Sequence, residues 1–143
     1  MKKKILYSLF LVVVGLFSSH AQSVVGKWKT VDDETGKAKS VVEIYQDNGM
    51  FYGKIIEIVD KNKQDKVCDG CEGVNKGKKI KGMLILESLK KEGSNWEGGT
   101  ILDPNSGKVY KCILSIENPD KLKVRGYVGI SLLGRTQYWH RVK

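Results

Sequence analysis

What the chain lacks narrows it first. It has two histidines, His20 and His140, two prolines, Pro104 and Pro119, and three cysteines, Cys68, Cys71 and Cys112. So few histidines exclude a His-x-x-x-His zinc site or a histidine relay. No second Cys-x-x-Cys pair exists to complete a four-thiolate metal centre. No segment reaches the roughly 20 apolar residues that a membrane-spanning helix needs. Beyond the N-terminus no stretch shows a capped 3.6-residue periodicity, so any helix is one or two turns long, and Gly129 to Gly134 is the best place for one. No Gly-x-Ser-x-Gly elbow is present either, which removes Ser131 as a nucleophile of that kind.

The apolar residues that are present are unevenly placed. Met1 is followed by Lys2, Lys3 and Lys4, an apolar stretch from Ile5 to Phe17, and Ser19-His20-Ala21. A basic start, a short apolar segment and a small-x-small site make a secretory signal peptide over 1–21, and no cysteine follows to carry a lipid. The mature chain is then 22–143, read as one domain, exported, and either periplasmic or secreted. It keeps no transmembrane anchor and one histidine, His140. Removing the three leader lysines from 25 Lys and Arg leaves 22 against 16 acids, a formal charge of +6.

Glycines punctuate the mature chain between short runs of Val, Ile, Leu, Tyr and Trp, the mark of an all-β protein. Strands are predicted at 24–31, 40–46, 50–59, 82–89, 96–103, 109–117, 122–128 and 135–142. Asp47-Asn48-Gly49, Asp103-Pro104-Asn105-Ser106-Gly107 and Asn118-Pro119-Asp120 supply the turns. Tyr110, Cys112, Leu114 and Ile116 alternate with polar residues, which turns Cys112 inward. Eight strands on short links hide their edges best by closing into a single antiparallel up-and-down barrel, wide enough for side chains or one small ligand. A two-sheet sandwich is the alternative.

The chain ends favour the barrel. Gly26-Lys27-Trp28 opens the first strand and Trp139-His140-Arg141 closes the last. This resembles the calycin signature of lipocalins, in which the indole plugs one barrel end and a basic side chain from the last strand covers it. Further motifs follow in order: Asp33-Glu34-Thr35-Gly36-Lys37, Tyr52-Gly53-Lys54-Ile55, Cys68-Asp69-Gly70-Cys71, Trp96-Glu97-Gly98-Gly99, Gly107-Lys108-x-Tyr110-x-Cys112, and Arg125-Gly126-Tyr127 with Leu133-Gly134-Arg135-Thr136-Gln137. Together they resemble the bacterial exported family catalogued as domain of unknown function 2147. The resemblance implies export and a β-rich, lipocalin-like fold, and brings no catalytic residues.

Cys68 and Cys71 lie in the longest link, 60–81. In an exported protein this spacing favours a local disulfide that shapes the loop. Half a zinc site, with Asp69, Glu72, Cys112 or His140 completing it, and a redox pair are the alternatives. No cofactor or metal is otherwise implied. Lys76-Gly77-Lys78-Lys79-Ile80-Lys81 reads as a solvated basic loop, and with no aromatics interleaved it does not suit nucleic acid.

On the final hairpin Tyr127, Arg135, Gln137 and Trp139 are candidate ligand-binding residues, a polar floor for an amphipathic molecule if they face inward. Arg125 is expected on the outer face, opposite Leu122, Val124 and Val128. The apolar link Gly129-Ile130-Ser131-Leu132-Leu133-Gly134 is expected to plug one barrel end, or else to line a cavity mouth. The leading reading is a non-catalytic exported barrel for a small apolar or amphipathic ligand or an envelope component. A protein-interaction module working through 60–81 comes second. An enzyme comes third, because Asp32, Asp33, Glu34, Glu57 and Asp103 form no pair assignable to one pocket.

Overall fold

The computed structural model describes residues 22–143; the expected signal peptide, 1–21, lies outside them. Eight strands run β1 (Gly26–Val31), β2 (Ala38–Asp47), β3 (Met50–Ile58), β4 (Leu84–Glu92), β5 (Asn95–Leu102), β6 (Val109–Asn118), β7 (Lys121–Tyr127) and β8 (Gly134–Arg141). Each pairs antiparallel with the next, and β8 returns to β1 through Trp28 opposite Arg141 and Lys29 opposite His140. The barrel is closed, so among the described residues no strand edge is left to pair with another chain. Most strands start and stop within about two residues of their predicted bounds, as expected of turn-delimited segments.

Closure requires the sheet to curve, and breaks in register supply the curvature. Between β3 and β4 the register breaks between Phe51 and Gly53, and between β5 and β6 it breaks between Trp96 and Gly99. Further breaks fall between Thr30 and Val31 and between Val41 and Val42.

The up-and-down path sorts the links by end. Three short hairpins sit beside the start of β1 and the end of β8. One of them turns on Asn48 and Gly49 with φ of 49° and 79°, the double positive φ that suits the twist of a hairpin. The four longer links gather at the other end. The lower interior is packed solid by Trp28, Val42, Ile44, Leu86, Leu89, Leu114 and Leu122, all fully buried. Cys112 joins this core, as its alternation implies, and burial pushes its thiol up to about 12. Trp96 packs edge-on against Phe51, and Tyr45 stacks on Tyr52 across β2 and β3.

The long link is itself folded. Its two limbs are joined by Cys68 N–H to the Lys78 carbonyl, Gly77 N–H to the Cys68 carbonyl and Ile80 N–H to the Lys66 carbonyl, each at 2.9 Å. Cys68 and Cys71 form a disulfide, and both are buried in the core cluster with Ile80 and Met83. The bridged segment docks on the β5–β6 turn so closely that a Cβ at Gly70 or Gly107 would overlap the facing backbone. Lys66 adds a hydrogen bond to Asn105 at 2.9 Å.

Candidate functional site

The two barrel ends are built differently. At the β1/β8 end, Trp28 donates its indole N–H to the Val24 carbonyl at 2.8 Å and is wholly buried. The Arg141 guanidinium lies 4.2 Å from the centre of that ring. It also donates to the carbonyls of Pro119 (2.8 Å), Val25 (3.2 Å) and Ser23 (2.9 Å). A flat cation can cover an aromatic face and still use its edge donors, and this one ties the N-terminal segment and the β6–β7 hairpin over the indole. Gly26 makes room for it. Its φ is 138° and a Cβ there would sit 2.8 Å from an Arg141 nitrogen. Gly26, Trp28 and Arg141 thus pack together at the β1/β8 end of the barrel.

The other end opens into a cavity of about 370 Å³. That lies within the range of small-molecule sites. Ile55, Ile85, Ile101, Leu102 and Val124 form much of its wall, with Trp139 among its lining. Polar side chains interrupt the apolar surface, Lys39, Asp103 and Tyr110 among them. Thr30 and Ser40, both buried, share a hydrogen bond of 2.7 Å between their hydroxyls on β1 and β2. On β8 the alternation that buries Trp139 also turns Gln137 and Arg135 to the cavity side. There Trp139 Nε1–H donates to Gln137 Oε1 at 3.4 Å, Gln137 Nε2–H donates to the Asp33 carboxylate at 3.0 Å, and Arg135 pairs with the same carboxylate. The result is a polar ladder climbing from the deep Trp139 to Arg135 at the mouth.

All four candidate residues from the final hairpin line the cavity, three of them from one face of β8. Tyr127 does not share their face. It stands on the outer parity of β7 with Arg125, opposite Val124 and Gly126, and lines the cavity from the end of that strand. The reason is strict alternation: Leu122 and Val124 take the inner positions. Asp33, named from the sequence only among carboxylates with no assignable pair, joins Arg135 and Gln137 here. Its neighbour Asp32 is the turn-former, its carboxyl held below the ordinary range by the Thr35 amide. Thr30 and Ser40 escaped the sequence reading, although Thr30 shares the parity of Trp28 and was open to inference on that ground.

Two expectations for the 128–134 link are corrected. It does not plug the barrel, and Val128 is no core residue: Val128, Ile130, Leu132 and Leu133 are 59–84% exposed. Ser131–Leu133 form a single 3-10 turn. Arg125, on the outer face as expected, donates to the Ser131 carbonyl from Nε (2.9 Å) and Nη2 (2.6 Å) and to Thr136 Oγ1 (2.8 Å). These bonds hold the link at the side of the mouth and stop it folding inward. Val128 and Leu133 still reach the cavity edge.

A closed eight-stranded antiparallel barrel, shut at one end by a tryptophan–arginine stack and open at the other onto a mostly apolar cavity, is a lipocalin-like cup. The chain belongs to the bacterial family described as "Uncharacterized protein conserved in bacteria (DUF2147)", whose model matches residues 26–141. Protein HP1028 from the human pathogen Helicobacter pylori, described as belonging to the lipocalin family, has a similar solved structure. It is 24% identical, the match covers 85% of this chain and 84% of that one, and the TM-score is 0.74. At that identity the likeness shows the fold. No curated protein matches the chain.

Proposed function

We propose that this protein is an exported, non-catalytic carrier that holds a small amphipathic molecule in the open end of its barrel. The cavity carries the reading. Its walls of Ile55, Ile85, Ile101 and Val124 suit an acyl or other apolar body, and the Gln137–Asp33–Arg135 ladder offers hydrogen bonds to a polar head. Export rests on the 1–21 leader and is compatible with the Cys68–Cys71 bridge, which oxidising compartments sustain. An interaction surface on 60–81 has less support. Lys66, Lys79 and Lys81 are already engaged with Asn105, Asp65 and Gln64.

The test is titration of the mature chain with a dansyl-labelled fatty acid, read by fluorescence, beside native mass spectrometry of the protein isolated from its own envelope. The expected results are saturable binding and a bound lipid-sized mass. Ile101→Trp, which fills the cavity from its wall, is expected to weaken binding at least about tenfold. Absence of both binding and bound mass in the parent protein, or equal binding by a folded Ile101→Trp variant, overturns the reading.

A further inference from the structure

The cavity reading leaves unused the largest apolar feature of the described surface. Val128, Ile130, Leu132 and Leu133 are 66%, 59%, 84% and 76% exposed, within six consecutive residues at the mouth of the cup. Val109, 58% exposed, borders the same surface groove as Val128 and widens the patch. Single exposed apolar residues are ordinary on a protein surface, but a contiguous group marks an interaction site. Here the exposure is maintained by the fold. The turn is closed by Leu133 N–H to the Ile130 carbonyl at 3.1 Å, and Arg125 bonds the Ser131 carbonyl twice from behind. A link free to collapse would bury these side chains in the cavity beside it, and this one is tied so that it cannot.

We propose that the 128–133 lip docks the mouth of the barrel onto an anionic lipid bilayer. Two observations favour a membrane. The first is charge: residues 22–143 carry a formal +6, and five cations lie close to the lip, with Arg125 on the Ser131 carbonyl, Arg135 and Lys39 in the cavity lining beside Val128 and Leu133, Lys108 in the groove with Val128, and Lys111 opposite Tyr127. Opposing them nearby, Glu72 and Glu87 border the groove below Val128, Asp33 is held by Arg135, and Asp103 is held by the amide of Asn105 and the hydroxyl of Ser106. Apolar residues that dip into the acyl boundary beside cations at the headgroup level are the arrangement that binds a bilayer surface. The second is continuity: Val128 and Leu133 belong both to the lip and to the cavity edge, so a molecule leaving the cavity crosses directly to whatever the lip touches.

The experiment is co-sedimentation of the mature chain with vesicles of phosphatidylcholine alone and of three parts phosphatidylcholine to one part phosphatidylglycerol. Binding is expected to the mixed vesicles and to weaken in high salt. The double variant Ile130→Asp, Leu132→Asp alters two exposed side chains outside the cavity lining, and is expected to bind at least about tenfold less. The single variant Leu132→Trp should add blue-shifted emission, over that of the parent, when mixed vesicles are present. Failure of the parent protein to sediment, equal binding by the double variant, or no shift in the emission added by Leu132→Trp each overturns the proposal. So does sedimentation velocity without vesicles, if it shows a dimer that the double variant makes monomeric, because the lip would then be a self-association surface. Retained dansyl-fatty-acid binding by the double variant separates the fate of this proposal from that of the cavity.

Discussion

The Arg141 guanidinium lies 4.2 Å from the centre of the Trp28 ring while three of its N–H groups reach backbone carbonyls of the N-terminal segment and the β6–β7 hairpin. Two residues from opposite ends of the described chain are thereby made one structural unit. It does for the barrel base what a disulfide does in a smaller domain, fixing both chain ends to the same spot.

Replacing Arg141 should therefore cost stability out of proportion to a half-exposed charge. Arg141→Ala is expected to lose about 2–3 kcal/mol in urea unfolding, from charge-assisted bonds and the ring contact taken together and discounted for solvent. Arg141→Lys keeps the charge without the planar fork and should recover less than half of that loss. Equal stability of the lysine variant and the parent would show that charge alone suffices.

Gln137→Leu breaks the polar ladder in the middle. The buried Trp139 N–H then has no acceptor and Asp33 loses a donor, a loss of about 1–3 kcal/mol in unfolding free energy. Preference should shift with it: a purely apolar probe should bind more tightly than to the parent, and a fatty acid less tightly. Parallel changes for both probes would detach the ladder from the polar head.

Cys112 should be inert to thiol reagents at pH 8, because burial raises its folded value from 9.0 to about 12. The sign of the linkage is fixed. Above pH 9 the unfolded chain has released this proton while the folded chain retains it, so stability present below pH 9 is lost progressively as the pH rises towards 12. Guanidinium unfolding at about pH 8 and about pH 10.5 measures this, and Cys112→Ala should show a smaller alkaline loss than the parent.

Reduction of Cys68–Cys71 should lower global stability by only about 2 kcal/mol, since the ring closed is short. Its local effect should be larger. Hydrogen exchange is expected to accelerate at Cys68, Gly77 and Ile80, whose amides join the limbs of the long link, while the amides of β6 and β7 stay protected. Acceleration spread evenly around the barrel would mean that the bridge supports the whole core.

The parts of the fold legible in the sequence were those encoded by local rules. Alternation from Tyr110 to Ile116 placed Cys112 inside, turn residues such as Asn48-Gly49 marked strand ends, and Gly26, Trp28 and Arg141 stood at the two chain ends where a barrel must close. The same alternation misled at Val128, where β7 has already ended and parity no longer dictates direction. It gave no warning that Asp33, from a turn 104 residues before Gln137, completes the ladder of Gln137 and Arg135.

By itself, then, the sequence determined the strands and the barrel, because period-two patterning and turn chemistry act over a few residues at a time. Only the tertiary structure decided which end stays open, which polar groups meet there and why the 128–133 lip faces outward. Those outcomes depend on partners brought together by closure: Arg125 with Ser131, Arg135 with Asp33, Gly70 against Gly107. No local pattern records them.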